Sequence, residues 1–314
     1  YVLISVFITS SFVMIDAYFQ YFFGFNLLGY EYNDKTLRLS GFFDQELILG
    51  SYITRFSPLY LLQLLFLYYS IKKKNNLKII LFSIALIIYS YIIFLTGERV
   101  AFSYYIITIF LFLVFFNSKK INLLVGFILF FSMILLYFSD NSRLLKTTSL
   151  QIKQSFIYDE EYGYKIKNIE EIPIEHLKHW KTTILMVKQN PIFGIGPRMF
   201  REKCDDKKYL VKGGCATHPH NLYFQLLGEA GILGFIFLLL LFIYILNTII
   251  KNLKKRKSIE ISNKNLMIYV SSTCIFLHFF PFLPNGNFFN NWINITTFFT
   301  IGIFLHFNSK KNND

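Results

Sequence analysis

The chain has 314 residues, 54% hydrophobic and 19% aromatic, with 38 Phe, 21 Tyr and a formal charge of +13. Apolar runs recur with few charges inside them, which excludes a soluble domain and points to a polytopic membrane protein. The basic excess needs no nucleic acid, because twelve of the cations sit beside the apolar runs, where membrane topology accounts for them.

Taken in chain order, the hydropathy pattern predicts an all-α protein with eight spans, near residues 1–15, 47–70, 77–95, 99–117, 121–138, 222–248, 265–283 and 291–307. Since the sequence opens at Tyr1 inside an apolar run, it reads as a fragment lacking earlier helices. The chain divides into N-terminal helices over 1–138, a large loop over 139–220 and C-terminal helices over 221–314. Lys72, Lys73 and Lys74, then Lys119 and Lys120, then Lys251, Lys254, Lys255, Arg256 and Lys257, then Lys310 and Lys311 all fall on one side. That side is expected to be cytoplasmic, against an anionic leaflet.

The opposite side carries residues 16–46, the tight turn around Gly97 and Glu98, the large loop, and residues 284–290. The loop has 14 Lys or Arg against 10 Asp or Glu, and its length removes it from the charge rule. Within it a helix is predicted from about Glu175 to Asn190, closed by Pro191, with His176, His179 and Thr183 on one face. PIFGIGPRMF follows with the Gly and Pro of an ordered turn. Cys204 and Cys215 lie on the side where disulfides persist and are expected to be bonded. Cys274, inside a span, is read as a small core residue. Spacing alone makes no zinc site, since His218 and His220 flank a proline and no CxxC pair exists. Trp180 and Tyr209 suit either sugar stacking or packing, with packing the more common use.

In THPHNLYFQLLGEAGILG, residues 217–234, a histidine-bearing loop enters an apolar helix. Thr217 is the expected cap and Pro219 suits the first turn, which places His218 and His220 where water meets lipid. Asn221, Gln225 and Glu229 make a polar stripe that must face protein or a wet cavity. Gly228, Gly231 and Gly234 allow another helix to approach closely. Two arginines stand out by position. Arg99 follows Glu98 at the mouth of a helix pair, and Arg55 lies about 12 Å inside a span at 1.5 Å per residue. Competing readings are an ion pair with Glu98 or a lipid phosphate for Arg99, and snorkelling or pairing with Glu46 or Asp44 for Arg55. Arg38, Arg198 and Arg201 are further external cations suited to a phosphate-bearing ligand.

HPHNLYFQLLGEAGILG, preceded by NPIFGIGPRMFREKC and TGERVAF, resembles the O-antigen ligase and O-antigen polymerase superfamily of bacterial envelope glycosyltransferases. The early RLSGFFDQELILGSYITR and the late FFPFLPNGNFFNNW extend the resemblance over nearly the whole sequence. It implies a multi-pass inner-membrane transferase with its active site on the periplasmic side. Such an enzyme moves a glycan from an undecaprenyl diphosphate carrier to an acceptor hydroxyl, on a lipid A core sugar in ligases or a second lipid-linked glycan in polymerases. No metal or cofactor is implied. By this resemblance His220 matches the essential loop histidine, and Arg99 the arginine of the first external turn. The family's second arginine, ahead of a Trp or Tyr in the large loop, is replaced here by EHLKHWKTT, with His176 and His179 at that place. Arg198 or Arg201 remain to supply its charge, and His218, Asn221, Arg38 and Arg55 complete the expected substrate-binding set.

The chemistry agrees. Fixed guanidinium groups stabilise the charge that develops on a departing diphosphate, and a histidine of ordinary pKa, about 6.5, suits removal of the acceptor proton. Inversion is expected at the anomeric carbon. The competing class is a flippase, transporter or channel whose wet cavity is lined by the same polar groups without bond formation.

Overall fold

The computed structural model describes residues 1–32, 38–70, 75–116, 126, 156–159, 163–166, 175–255 and 262–309. The span expected over 121–138, the start of the large loop and the cations at 72–74, 119–120, 256–257 and 310–311 lie outside the described residues. In chain order the helices are α1 (Val2–Phe23), α2 (Leu49–Arg55), α3 (Ser57–Ser70), α4 (Asn75–Leu95), α5 (Arg99–Phe116), α6 (Glu175–Gln189), α7 (Phe200–Lys203), α8 (Leu222–Glu229), α9 (Gly231–Lys255), α10 (Asn263–His278) and α11 (Asn291–Ser309). Between α5 and α6, β1 (Phe156–Asp159) and β2 (Gly163–Ile166) form an antiparallel hairpin, a small addition to the all-α expectation.

Four of the described helices are long and apolar enough to cross a membrane: Val2–Phe23, Leu77–Leu95, Arg99–Phe116 and Gly231–Lys255. Together with exposed apolar side chains such as Phe110, Phe237 and Leu240, they make this a multi-pass membrane protein.

Two expected spans are interrupted. The stretch 47–70 divides at Phe56 into α2 and α3. Pro58 lacks the N–H that would bond back into α2, so the ladder breaks there. The freed groups find partners: Ser57 donates to the Thr54 carbonyl at 2.7 Å, and the Tyr89 hydroxyl to the Ile53 carbonyl at 3.1 Å. The stretch 222–248 divides at Ala230 into α8 and α9, with Gly231 at φ +69°.

The chain forms two compact units, residues 1–147, 251–274 and 306–314 in the first and 148–250 and 275–305 in the second. The first has a core of Leu49, Ile53, Tyr60, Leu61, Tyr89, Tyr105 and their neighbours, with the Tyr60 and Tyr89 rings stacked at 4.5 Å. Its α1 carries buried polar residues that shape the loop after it. Asp16 accepts from the Leu27 N–H at 2.9 Å and from the Asn26 amide at 3.2 Å, while Gln20 accepts from the Ser40 and Gly41 N–H groups. Each is a buried polar group whose cost is removed by bonding.

Gly50, near the start of α2, sits where an added Cβ would meet Thr96 Oγ1, the Ala101 Cβ at 2.9 Å and Glu98 Oε1 at 3.1 Å. Gly50→Ala is therefore expected to lower stability by about 1–3 kcal/mol. Gly302→Ala, with nothing near its Cβ position, should not destabilise. Thermal unfolding of both in detergent checks this, and equal midpoints for the two variants would sink the close-approach argument.

Candidate functional site

The second unit builds its site from three pieces of chain: α6, the loop before α8, and the loop between α10 and α11. The expected cap at Thr217 is not used. Asn221 is the N-cap of α8, extended at φ −147°, and its side chain accepts from the Tyr223 and Phe224 N–H groups. The reason lies one residue earlier: His220 has φ +56°, a left-handed conformation that no helix continues. Helical structure therefore starts after it, and Pro219 lies outside the first turn. The His220 pose is held by the Asn285 N–H, which donates to the His220 carbonyl at 3.0 Å.

Four imidazoles meet there. Ring centroids of His176 and His220 are 4.8 Å apart, His179 and His220 5.5 Å, and His218 and His220 4.1 Å. The expected face of α6 is present, since His179 and Thr183 stack one turn apart with the Thr183 hydroxyl bonded to the His179 carbonyl. Carbonyl acceptors assign two tautomers. His179 Nδ1–H donates to the Gly214 carbonyl at 3.0 Å, leaving Nε2 with a lone pair. His218 Nε2–H donates to the Asn285 carbonyl at 3.1 Å, so its Nδ1 accepts from the Thr217 hydroxyl at 2.9 Å. Burial first, and then His218, His176 and His179, push the pKa of His220 down to about 3. His218 is lowered too, chiefly by burial. The ordinary pKa expected for His220 is thus corrected: the site holds it neutral, with its lone pair available.

The polar stripe of α8 is fully engaged. Glu229 accepts from the Phe200 N–H at 2.8 Å and from Gln225 at 3.0 Å, while Gln225 also donates to Asn287 at 2.8 Å and accepts from the Phe288 N–H. The ordered turn predicted after α6 docks on the α8–α9 break. Ile195 and Gly196 donate to the Gly228 and Glu229 carbonyls at 3.0 Å, and Ile232 donates to Pro191. Of the three expected glycines, Gly231 abuts the Ile192 carbonyl and Gly228 the Thr183 methyl, but Gly234 meets only Ala230 at the break and Leu226 of α8 just before it. Below the turn, Phe200, Met186, Cys204 and Tyr209 pack together, and Cys204 and Cys215 are joined by a disulfide. Tyr209 is buried at 1% exposure and so packs. Trp180 stacks on Phe224 at 4.8 Å and donates to the Pro219 carbonyl. Arg198 is exposed, at φ +63°, with its guanidinium on the Phe289 carbonyl, and Arg201 pairs with Glu202 at 3.2 Å.

The first unit has its own charged cluster, organised by Glu98. Its carboxylate accepts from the Gly50 N–H at 2.8 Å, the Ser51 N–H at 3.1 Å and the Ser51 hydroxyl at 2.7 Å, capping α2, and pairs with Arg38 at 3.4 Å. Burial raises its pKa, and Ser51, Arg38 and the Gly50 N–H oppose that. Arg55, 2% exposed, donates to the Ser51 carbonyl at 3.0 Å and lies 5.4 Å from the Tyr104 ring centroid. Arg99 is exposed at the start of α5.

Two contributors were not singled out from sequence: Glu98 as a cap, and Asn285 as the clamp on His218 and His220. The only available signal for Asn285 was the Pro, Asn and Gly of the PNGN turn.

Residues 84–239 match the family described as O-antigen ligase, a stretch that contains Glu98, Arg99, all of α6 and the four clustered histidines. No curated protein matches the chain.

The left-handed His220 has a measurable consequence. Relative to His220→Ala, His220→Gly is expected to be more stable by about 1 kcal/mol, because glycine adopts this φ without the Cβ penalty. Thermal unfolding of the two variants compares them directly, and equal stability would refute strain at this residue.

Proposed function

The chain belongs to the O-antigen ligase and O-antigen polymerase superfamily, and from that premise we propose that it transfers a glycan from undecaprenyl diphosphate to an acceptor sugar hydroxyl. The reaction takes place on the periplasmic side of a bacterial inner membrane. As a superfamily member the protein is a membrane glycosyltransferase of surface polysaccharide synthesis acting on lipid-linked glycans. The observation that carries the finer reading is His220, inside the matched region, held in a left-handed pose with a neutral imidazole. A strained, over-determined backbone at a polar side chain is a mark of a functional position.

In the proposed step, the acceptor oxygen bonds to the anomeric carbon of the donor as its proton passes to the His220 lone pair. The bond from that carbon to the diphosphate oxygen breaks, and undecaprenyl diphosphate leaves. Attack opposite the leaving group inverts the anomeric centre, and no covalent enzyme intermediate forms. An imidazole pushed down to about 3 is a weak base by itself. An anionic diphosphate nearby favours the imidazolium and strengthens it as charge moves. Arg99 is assigned the developing diphosphate charge, in keeping with its exposure and its place in the family pattern. The exposed Arg198 and Arg201 are further cations for donor or acceptor binding. Arg38 supports the turn from which Arg99 projects by pairing with Glu98, and Arg55 braces α2 through the Ser51 carbonyl.

The experiment restores the gene to a strain lacking it and displays the surface glycan by size. Wild type is expected to restore a ladder, and His220→Ala and Arg99→Ala at matched expression to lose it, with activity down at least about 100-fold. Collapse to single repeats marks a polymerase; long chains retained on the lipid carrier mark a ligase. Unaltered ladders in both variants would remove His220 and Arg99 from the chemistry and return the competing transporter reading.

A further inference from the structure

We infer that His176, His179 and His220 form a three-nitrogen site for one divalent transition-metal ion of the zinc class, with its fourth coordination position open. One nitrogen from each ring lies within 4.8 Å of the other two. A tetrahedral zinc bound at about 2.0–2.1 Å needs nitrogens about 3.4 Å apart, so the three rings draw together as the ion binds. His176 and His179 share one face of α6, three residues apart, so a single rigid helix presents two ligands, and the clamped loop presents the third.

The surrounding bonds suit a metal ligand. His179 donates Nδ1–H to the Gly214 carbonyl, which directs its Nε2 lone pair away from that carbonyl and fixes the ring. That is the outer-shell arrangement seen when histidine binds zinc. His218 is not a fourth ligand, because the Asn285 carbonyl and the Thr217 hydroxyl engage both its ring nitrogens. Its role is to support His220, whose ring centroid is 4.1 Å away. The triad contains no carboxylate, and a purely imidazole set favours zinc, copper or nickel over magnesium or calcium. The other group of suitable spacing among the described residues, Cys204, Asp205 and Cys215, is unsuited, since its two sulfurs are joined to each other.

A metal held here takes the lone pair of His220. Metal occupancy therefore shuts off proton removal from the acceptor, and a chelator restores it. That inhibitory consequence rests on the transferase reading above, whereas metal binding itself does not.

The test uses the full chain in detergent, stripped with chelator and then given Zn2+ alone. Metal content is measured after desalting, and the Co2+-substituted protein is examined for the absorption of tetrahedral cobalt. About one zinc per chain is expected in wild type and in His306→Ala, an exposed histidine outside the triad. Binding should weaken at least about tenfold in His176→Ala and in His179→Ala. Matched metal-free unfolding midpoints ensure that loss of binding is not loss of fold. Absence of zinc from wild type, or equal zinc in the triad variants, overturns the site. Glycan assembly with added Zn2+ separates the two readings. Zinc bound at the triad without inhibition leaves the metal site standing and removes His220 as the base. Loss of the ladder in His220→Ala with no zinc binding does the reverse.

Discussion

The carboxylate of Glu229 is the contact on which the second unit depends. It ends α8, accepts the Phe200 N–H at 2.8 Å and holds Gln225 at 3.0 Å, 1% exposed in a chain made largely of hydrocarbon. A buried polar group of this kind persists only when its lone pairs are used. Those bonds tether the 191–200 turn to the α8–α9 break, where two further N–H groups of the turn meet the Gly228 and Glu229 carbonyls. A side chain on Gly194 would collide with the Glu229 backbone, and one on Gly231 with Ile192, so both glycines are required by the closeness of the approach. The turn leads into Phe200, Phe200 packs on Met186 of α6, and α6 carries His176 and His179. The placement of the histidines thus follows from a carboxylate that does not belong to their cluster.

Glu98 has the same logic in the first unit. The break at Phe56 shortens α2 to seven residues, too short to be stable by propensity alone. A carboxylate on its first N–H groups, favoured also by the helix dipole, fixes its start, while burial raises its pKa and the Ser51 hydroxyl and Arg38 oppose that rise. Both units therefore use a buried acid to pin a helix end.

How much of this was legible in the sequence depends on the range of the interaction. Hydropathy located the spans realised as Leu77–Leu95 and Arg99–Phe116 within a residue, and helical spacing located α6 and the shared face of His179 and Thr183. These signals are local. The breaks at Phe56 and Ala230 were missed because a hydropathy window averages over a single interrupted turn, although Pro58 and Gly231 stood in plain view. The cap at Asn221 was missed because the left-handed φ of His220 is imposed by Asn285, far along the chain. The gathering of four histidines was invisible for the same reason: HxxH and HPH are separated by a stretch whose path is set by the Glu229 contacts and by the close packing around Cys204 and Cys215.

Asn285 shows how that distant control works. Its N–H binds the His220 carbonyl, its carbonyl binds His218, and its side-chain amide donates to the His278 carbonyl at the end of α10. One residue thereby sets the backbone of the candidate base, the tautomer of its neighbour and the exit of a helix. The left-handed pose costs about 1 kcal/mol or more, a sum that a single hydrogen bond of ordinary worth can offset. The balance is close, so the orientation of His220 is poised on the 281–290 loop. Backbone groups of a residue outside the histidine cluster thus fix how His220 and His218 are presented within it.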